Sequence, residues 1–529
     1  MKPQEAIAAL QPESWAKTPI KERLRLLRQI QHNMMQYADE LAAADGNMKN
    51  TTLGEDLYSR GYNLFSTGGP VGNMVAASVE LYESLARGNM PEALEITQVS
   101  DEIYDVKVFP QTRTEKLMAG KQHGHLRVKG EPKQVSPMDK PAGVIAVLGA
   151  GNFSSPLEMV NALFWENKAV IFKPHHLNKA SDATWQKVFA PLVEIGALAF
   201  CDAEQGRELT TLDGITAFYF TGGTTSAKAI MAATDTPLVS ECGGNNPCIV
   251  VPGDRPWTEK ELKHQAEKVV SLAKMNGGAN CGRAQTLVTS KQWEQRGAFL
   301  DAIRQASVDT FAFGTYYPGS DKVRESFLAE YPNAEMLQAK DGSSEATEMV
   351  LITDAGEDDF AIKHEAFCQI LDEVALDVKA TAEAFLSAAV AFANEQLLGT
   401  LGCMVLIDDV TQAAHKKVFD QAITDLRYGG IAVNTIPPMV WLSPYLTWGG
   451  NEEGKEFASG SGNFGNVLNF ESVEKSILYD QFVSQGDMLL TNKEATEKLM
   501  VANMHYVVQP TRMNLAKLME VAVANRFRH

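Results

Sequence analysis

The chain has 529 residues, too many for one hydrophobic core, so two or three domains are expected. A hydrophobic share of 45% against a charged share of 22% describes an ordinary globular protein. The formal net charge of −18 argues against broad binding to nucleic acid or to anionic membrane surfaces.

The first residues, Met1-Lys2-Pro3-Gln4-Glu5, lack the basic start and apolar core of a secretory signal. No uncharged apolar run reaches the roughly 18 residues of a membrane span. Cys201, Cys242, Cys248, Cys281, Cys368 and Cys403 include no Cys-x-x-Cys pair. They read as free thiols of a reducing compartment, which predicts a cytoplasmic protein.

Leu24, Leu27, Ile30, Met34, Tyr37 and Leu41 recur every three or four residues and predict one apolar helical face. A second helix is expected over 75–86, ending at Arg87-Gly88, where glycine can take the left-handed cap. From Pro141 the pattern becomes alternating. A short apolar run at 144–148 reads as a strand buried on both faces, followed by a turn at 149–152 and a helix over 156–167. The next strand covers 169–172 and ends at Lys173-Pro174. A helix at 181–195, a strand at 215–220, the loop Thr221-Gly222-Gly223-Thr224 and a helix at 226–233 follow. Extended pieces at 237–241 and 248–251 flank Gly243-Gly244, then a helix at 258–275 leads through a cysteine-bearing loop to a strand at 285–289. The alternation runs to about Asn434 and predicts an α/β sheet with ligands at the carboxyl ends of its strands. Leu515, Leu518, Val521 and Ala524 keep helical spacing in the tail.

Six separated stretches, Gly151-Asn152-Phe153, Phe172-Lys173-Pro174, Phe220 to Thr224, Glu241 to Pro247, Asn276 to Cys281, and Glu365-Ala366-Phe367, together resemble the aldehyde dehydrogenase superfamily. They stand in that family's order and at similar spacings. The resemblance implies a Rossmann-type nucleotide-binding domain (1–120 and 141–252), an α/β catalytic domain (253–450), and an oligomerisation arm with a C-terminal extension (121–140 and 451–529). It also implies a homodimer or homotetramer, NAD or NADP as cofactor, and a small aldehyde as substrate.

By the same resemblance Cys281 is the nucleophile. A free thiol is only a few per cent ionised at neutral pH, so its site must favour the thiolate or supply a base. Asn152 is the side-chain donor to the oxyanion, paired with the Cys281 N–H. Glu241 activates water against a thioester, which favours hydrolysis over transfer to coenzyme A. Lys173 reaches the adenosine ribose, Thr221, Gly222 and Gly223 pass the pyrophosphate at a helix start, and Glu365 with Phe367 holds the nicotinamide ribose. The reaction implied is NAD(P)-dependent oxidation of an aldehyde to a carboxylic acid through a cysteine thiohemiacetal and thioester. A coenzyme A-dependent acylating relative and an inactive binding protein are the alternatives.

Several positions depart from the family pattern. Ala150 and Gly151 replace proline and tryptophan, Gly223 replaces serine, and Cys368-Gln369 replaces glycine-proline. His175-His176 stands where the family often has a carboxylate that repels a 2′-phosphate. That change predicts acceptance of NADP, with His176 as a donor. Neither this pair nor His123-Gly124-His125 gives a metal site. The aromatic run 440–448 reads equally as a wall of the substrate tunnel or as core.

Overall fold

The computed structural model describes residues 1–454 and 456–526. Its frame is two β-sheets. The smaller has five parallel strands in the order Leu198–Phe200, Ala169–Lys173, Val144–Leu148, Ala217–Thr221, Leu238–Glu241. Strand Val144–Leu148 lies at its centre and is buried on both faces, which is why its sequence is apolar without alternation.

The larger sheet has eleven strands. Six neighbouring pairs run parallel, from Val473–Tyr479 through Gly430–Val433, Gly402–Leu406, Asn246–Val250, Ala284–Ser290 and Ile370–Leu376 to Glu348–Ile352. Ile103–Phe109 and His123–Lys129 join it antiparallel through Val473–Tyr479. Strand Asn246–Val250 shows how this sheet builds two cores. Cys248 and Val250 face one apolar cluster, and Ile249 faces another.

Pairing differs from the expected grouping in three places. Residues 246–250, grouped with 141–252, pair in the larger sheet, and so do the strands at 95–98 and 103–109 grouped with 1–120. A short apolar run carries no information about which sheet it will enter. Residues 123–129, expected in a separate arm, form a strand continuous with the same sheet.

Helix Ile20–Leu53 buries Leu24, Leu27, Ile30, Met34 and Leu41, as their spacing requires. The next helix is longer than expected. It runs Arg60–Ala86 through Gly68, Gly69, Pro70 and Gly72, residues that read as a turn. Close packing explains them: a Cβ on Gly72 would fall 2.4 Å from Val508 Cγ2, and one on Gly68 2.8 Å from Met504. The C-terminal helix Lys493–Val508 lies against this face, and Arg512–Arg526 follows it. No described helix is long and apolar enough to cross a membrane.

Asn152 follows the central strand of the smaller sheet and Glu241 ends its edge strand, whereas Cys281 and Glu365 precede strands of the larger one.

Candidate active site

Helix Glu259–Lys274 starts at a capping box on Thr258 and Glu261 and ends where three residues turn left-handed. These are Asn276 (φ 58°), Gly277 (65°) and Gly278 (79°). Asparagine tolerates that conformation because its amide bonds locally, and glycine because it has no Cβ. Here the Asn276 amide donates to Ala279 O at 2.9 Å. On the far side of the thiol, Asn246 Nδ2 donates to the carbonyls of Cys281 (2.6 Å) and Arg283 (2.9 Å). Cys281 is therefore pinned before and after. It is half-buried, while the other five cysteines are buried. Among the described residues no acceptor takes the Cys281 backbone N–H.

Asn152 is locked to this loop. Its side-chain amide donates to Ala279 O at 3.1 Å, and its second N–H has no partner among the described residues. Its carbonyl accepts from Asn276 Nδ2 at 3.0 Å and from the Tyr316 hydroxyl at 2.8 Å.

Glu241 closes the triangle. It is 5% exposed, and its Oε1 is buried without a hydrogen-bond partner. Burial pushes its carboxyl up to about 7, with the neighbouring Cys281 thiol pulling the other way. The thiol is itself pushed well above its ordinary value, by burial first and then by the Glu241 charge. A neutral thiol thus faces a carboxyl that titrates near neutrality, an arrangement suited to passing a proton.

Glu365 packs onto the glycines after Glu241. A Cβ on Gly243 would stand 1.9 Å from Glu365 Oε1, so any side chain there would displace the Glu365 carboxyl. Burial pushes the Glu365 carboxyl up to about 7, offset by the Gly244 backbone and by Arg283. Phe367, at φ 48°, meets Tyr317 edge-on with ring centroids 5.0 Å apart. The Tyr317 hydroxyl would lie 2.8 Å from a Cβ on Gly151, and His175 Nδ1 2.7 Å. Tyr317 and His175 therefore fill the room beside Gly151; of the two, only His175 was singled out in the sequence, as part of the His175-His176 pair.

A cleft of about 310 Å³ opens here, lined by Gly149, Ala150, Phe153, Pro174, His175 and Glu158 among others. Burial, together with the charges of His176 and Lys173, pushes His175 down to about 4, so it faces the cleft neutral. His176 is exposed and lies tilted against His175, ring centroids 4.1 Å apart. Lys173 is half-buried, its stem against Gly206 and its amine without a hydrogen-bond partner among the described residues. Thr221 donates to Glu158 at 2.7 Å, and the Gly222 N–H to the Glu241 carbonyl at 3.0 Å. Gly223 caps helix Thr224–Ala233 with open space above its Cα and no side-chain cap. An unpaired amine and an open helix start both suit the phosphates and ribose of a dinucleotide.

The aromatic run 440–448 divides. Trp448 is buried against Gly282, Gly402 and Gly430, and Tyr445 is buried with its hydroxyl on Glu115. Trp441 alone of the three reaches Phe153, next to Asn152, at 5.9 Å between centroids. Among the described residues no group of three His, Cys, Asp or Glu side chains could hold a metal.

Residues 98–314 match the model of the aldehyde dehydrogenase family. The chain is 32% identical over 160 residues to N-succinylglutamate 5-semialdehyde dehydrogenase of Novosphingobium aromaticivorans, covering 28% of this chain and 32% of that one. It is 27% identical over 306 residues to the protein of the same name from Pseudomonas fluorescens, covering 56% and 51%. The matches thus span about a third and a half of those relatives' lengths. The fold superposes on the NADP-dependent glyceraldehyde-3-phosphate dehydrogenase of Bacillus halodurans C-125, complexed with NADP, with a TM-score of 0.61 at 16% identity. That superposition covers 90% of this chain and 91% of the other.

Proposed function

From the premise that this chain is a divergent relative of the aldehyde dehydrogenases, sharing their fold, we propose that it oxidises an aldehyde to a carboxylic acid with NAD or NADP. One observation carries this reading: Cys281, Asn152 and Glu241, from three separate segments, converge on one point with two unused N–H donors.

The steps follow from the residues. Glu241 takes the Cys281 proton as the sulfur adds to the aldehyde carbon. The oxygen then turns negative between the free Asn152 N–H and the Cys281 N–H; one such donor is typically worth on the order of 100- to 1000-fold in rate. Lys173, the Gly222–Gly223 turn and Glu365 would hold the dinucleotide, which would supply the two-electron acceptor needed to take the adduct to a thioester. Glu241, again deprotonated, takes a proton from water, and the hydroxide attacks the thioester to free the acid and the thiol.

Acceptance of NADP belongs to this reading, supported by Lys173 and by histidines where a carboxylate would repel the 2′-phosphate. A cytoplasmic location is supported by the six unpaired thiols. A dimer or tetramer is supported by the exposed apolar residues Leu94, Ile96 and Val99 along an edge strand.

The test is an aldehyde panel, N-succinylglutamate 5-semialdehyde included, run with each cofactor and with or without coenzyme A. Free acid formed without coenzyme A is expected. Strict dependence on coenzyme A would move the chain to the acylating class, and a clear preference for NAD would remove the NADP part. Cys281→Ala should abolish oxidation and keep cofactor binding; surviving oxidation refutes the nucleophile.

A further inference from the structure

Helix Ile20–Leu53 carries an ion pair that touches no solvent. Lys49 Nζ donates to Asp45 Oδ2 at 2.7 Å, and both side chains are 0% exposed. The four-residue spacing sets both on one helical face. Among the described residues that is the only hydrogen bond the Lys49 ammonium makes. Its remaining N–H groups face aromatic rings, with Tyr58 at 5.1 Å, Tyr316 at 5.3 Å, Tyr62 at 5.6 Å and Phe153 at 5.8 Å from Nζ to ring centroid.

Each ring is tied to the catalytic loops. Phe153 adjoins Asn152 in the chain. Tyr316 donates to the Asn152 carbonyl at 2.8 Å and accepts from Asn276 Nδ2 at 3.2 Å. Tyr58 donates to Gly314 O at 2.7 Å, and that oxygen lies where a Cβ on Gly277 would be only 2.1 Å away. Tyr62 packs tilted against Tyr58 and edge-on against Phe313. Gly46, beside Asp45, makes the room: a Cβ there would strike Asn63 Nδ2 at 2.3 Å.

Such a pair is a poor way to gain stability. Removing two charges from water is costly, and a well-packed apolar pair of equal volume often serves folding as well. What an ammonium inside four rings adds is position, because it attracts every ring face toward one centre. We propose that Lys49, held by Asp45, is a positioning residue for the oxyanion donor: through Tyr316 and Phe153 it fixes Asn152, and through Tyr58 and Tyr316 it fixes the turn that presents Cys281. The proposal rests on the function argued above. It adds a residue from a helix that never touches substrate.

The experiment is a rapid-mixing burst of reduced cofactor from the full chain, comparing wild type, Lys49→Met and Tyr316→Phe. Lys49→Met keeps most of the stem and removes the charge. Tyr316→Phe keeps the ring and removes only the hydroxyl on Asn152. A merely structural role lowers the burst amplitude, the fraction of working sites, and leaves the burst rate constant alone. Positioning lowers the rate constant at unchanged cofactor affinity, by roughly 100-fold in Lys49→Met, as expected for a misplaced catalytic group. Tyr316→Phe should lose roughly tenfold, the scale of one hydrogen bond, and it decides the matter if Lys49→Met does not fold. A rate constant within twofold of wild type in Tyr316→Phe overturns the proposal. A wild type that forms no reduced cofactor from any aldehyde overturns the functional reading and the positioning role with it; an active wild type with unchanged variants overturns positioning alone.

Discussion

In the proposed reaction Glu241 is deprotonated twice in each turnover, once for the thiol and once for water. Its carboxyl is held up at about 7, so the base is lost as pH falls through that value. Turnover should therefore rise with pH across neutrality and level off above it, measured as steady-state rate under saturating aldehyde and cofactor. Glu241→Gln should remove that inflection and leave a single burst followed by turnover reduced on the order of 100-fold. The sign for folding is opposite. A carboxyl whose folded value lies above its unfolded 4.5 contributes stability below 4.5, and that contribution is lost as pH rises through about 7. At this scale the family resemblance, and not the residue types taken singly, pointed to Cys281, Asn152 and Glu241, because a lone cysteine or a turn asparagine is commonplace by itself. The sequence was silent on Tyr316, Tyr317 and Lys49, whose parts depend on contacts across more than a hundred residues of chain.

The helices show what holds the site from behind. Arg60–Ala86 starts at Ser59, whose side chain caps Tyr62, and a second acceptor comes from far along the chain: Glu497 Oε1 takes the Gly61 N–H at 2.6 Å. Its other oxygen accepts from the Ser59 hydroxyl. A carboxylate at a helix start meets both free N–H groups and the positive end of the dipole. Glu497→Ala should cost about 2 kcal/mol, read as a lower denaturant midpoint with an unchanged slope. An unchanged midpoint would mean that the C-terminal helix is a passenger on this face. The length of Arg60–Ala86 was hidden because Gly68, Gly69, Pro70 and Gly72 favour a turn locally, and only packing against Met504 and Val508 overrides them.

For the molecule as a whole, the alternation of strands and helices was readable from 144 onward, but not the division into two sheets. Strand Asn246–Val250 follows Leu238–Glu241 after only four residues and pairs elsewhere. The proposed dinucleotide contacts draw on both sheets, Lys173 and Gly222 from one and Glu365 from loops of the other. A ligand that spans them should stabilise both together. At 100 times its dissociation constant, cofactor should add about 2.7 kcal/mol to the folded state, seen as one cooperative thermal transition moving upward. Two transitions, only one of them shifted, would place the binding site within a single sheet.

Gly277 and Gly278 sit four and three residues before the thiol, and neither has room for a single carbon more. The Gly314 carbonyl blocks one at 2.1 Å, and the Cys368 carbonyl carbon blocks the other at 2.2 Å. A saturation screen scored by activity would therefore flag both positions as strongly as Cys281, though neither offers a reactive group. A survey that ranks residues by intolerance alone would mistake scaffolding for chemistry here. Alkylation separates them, since alanine at 277 or 278 retains a thiol to label and alanine at 281 does not.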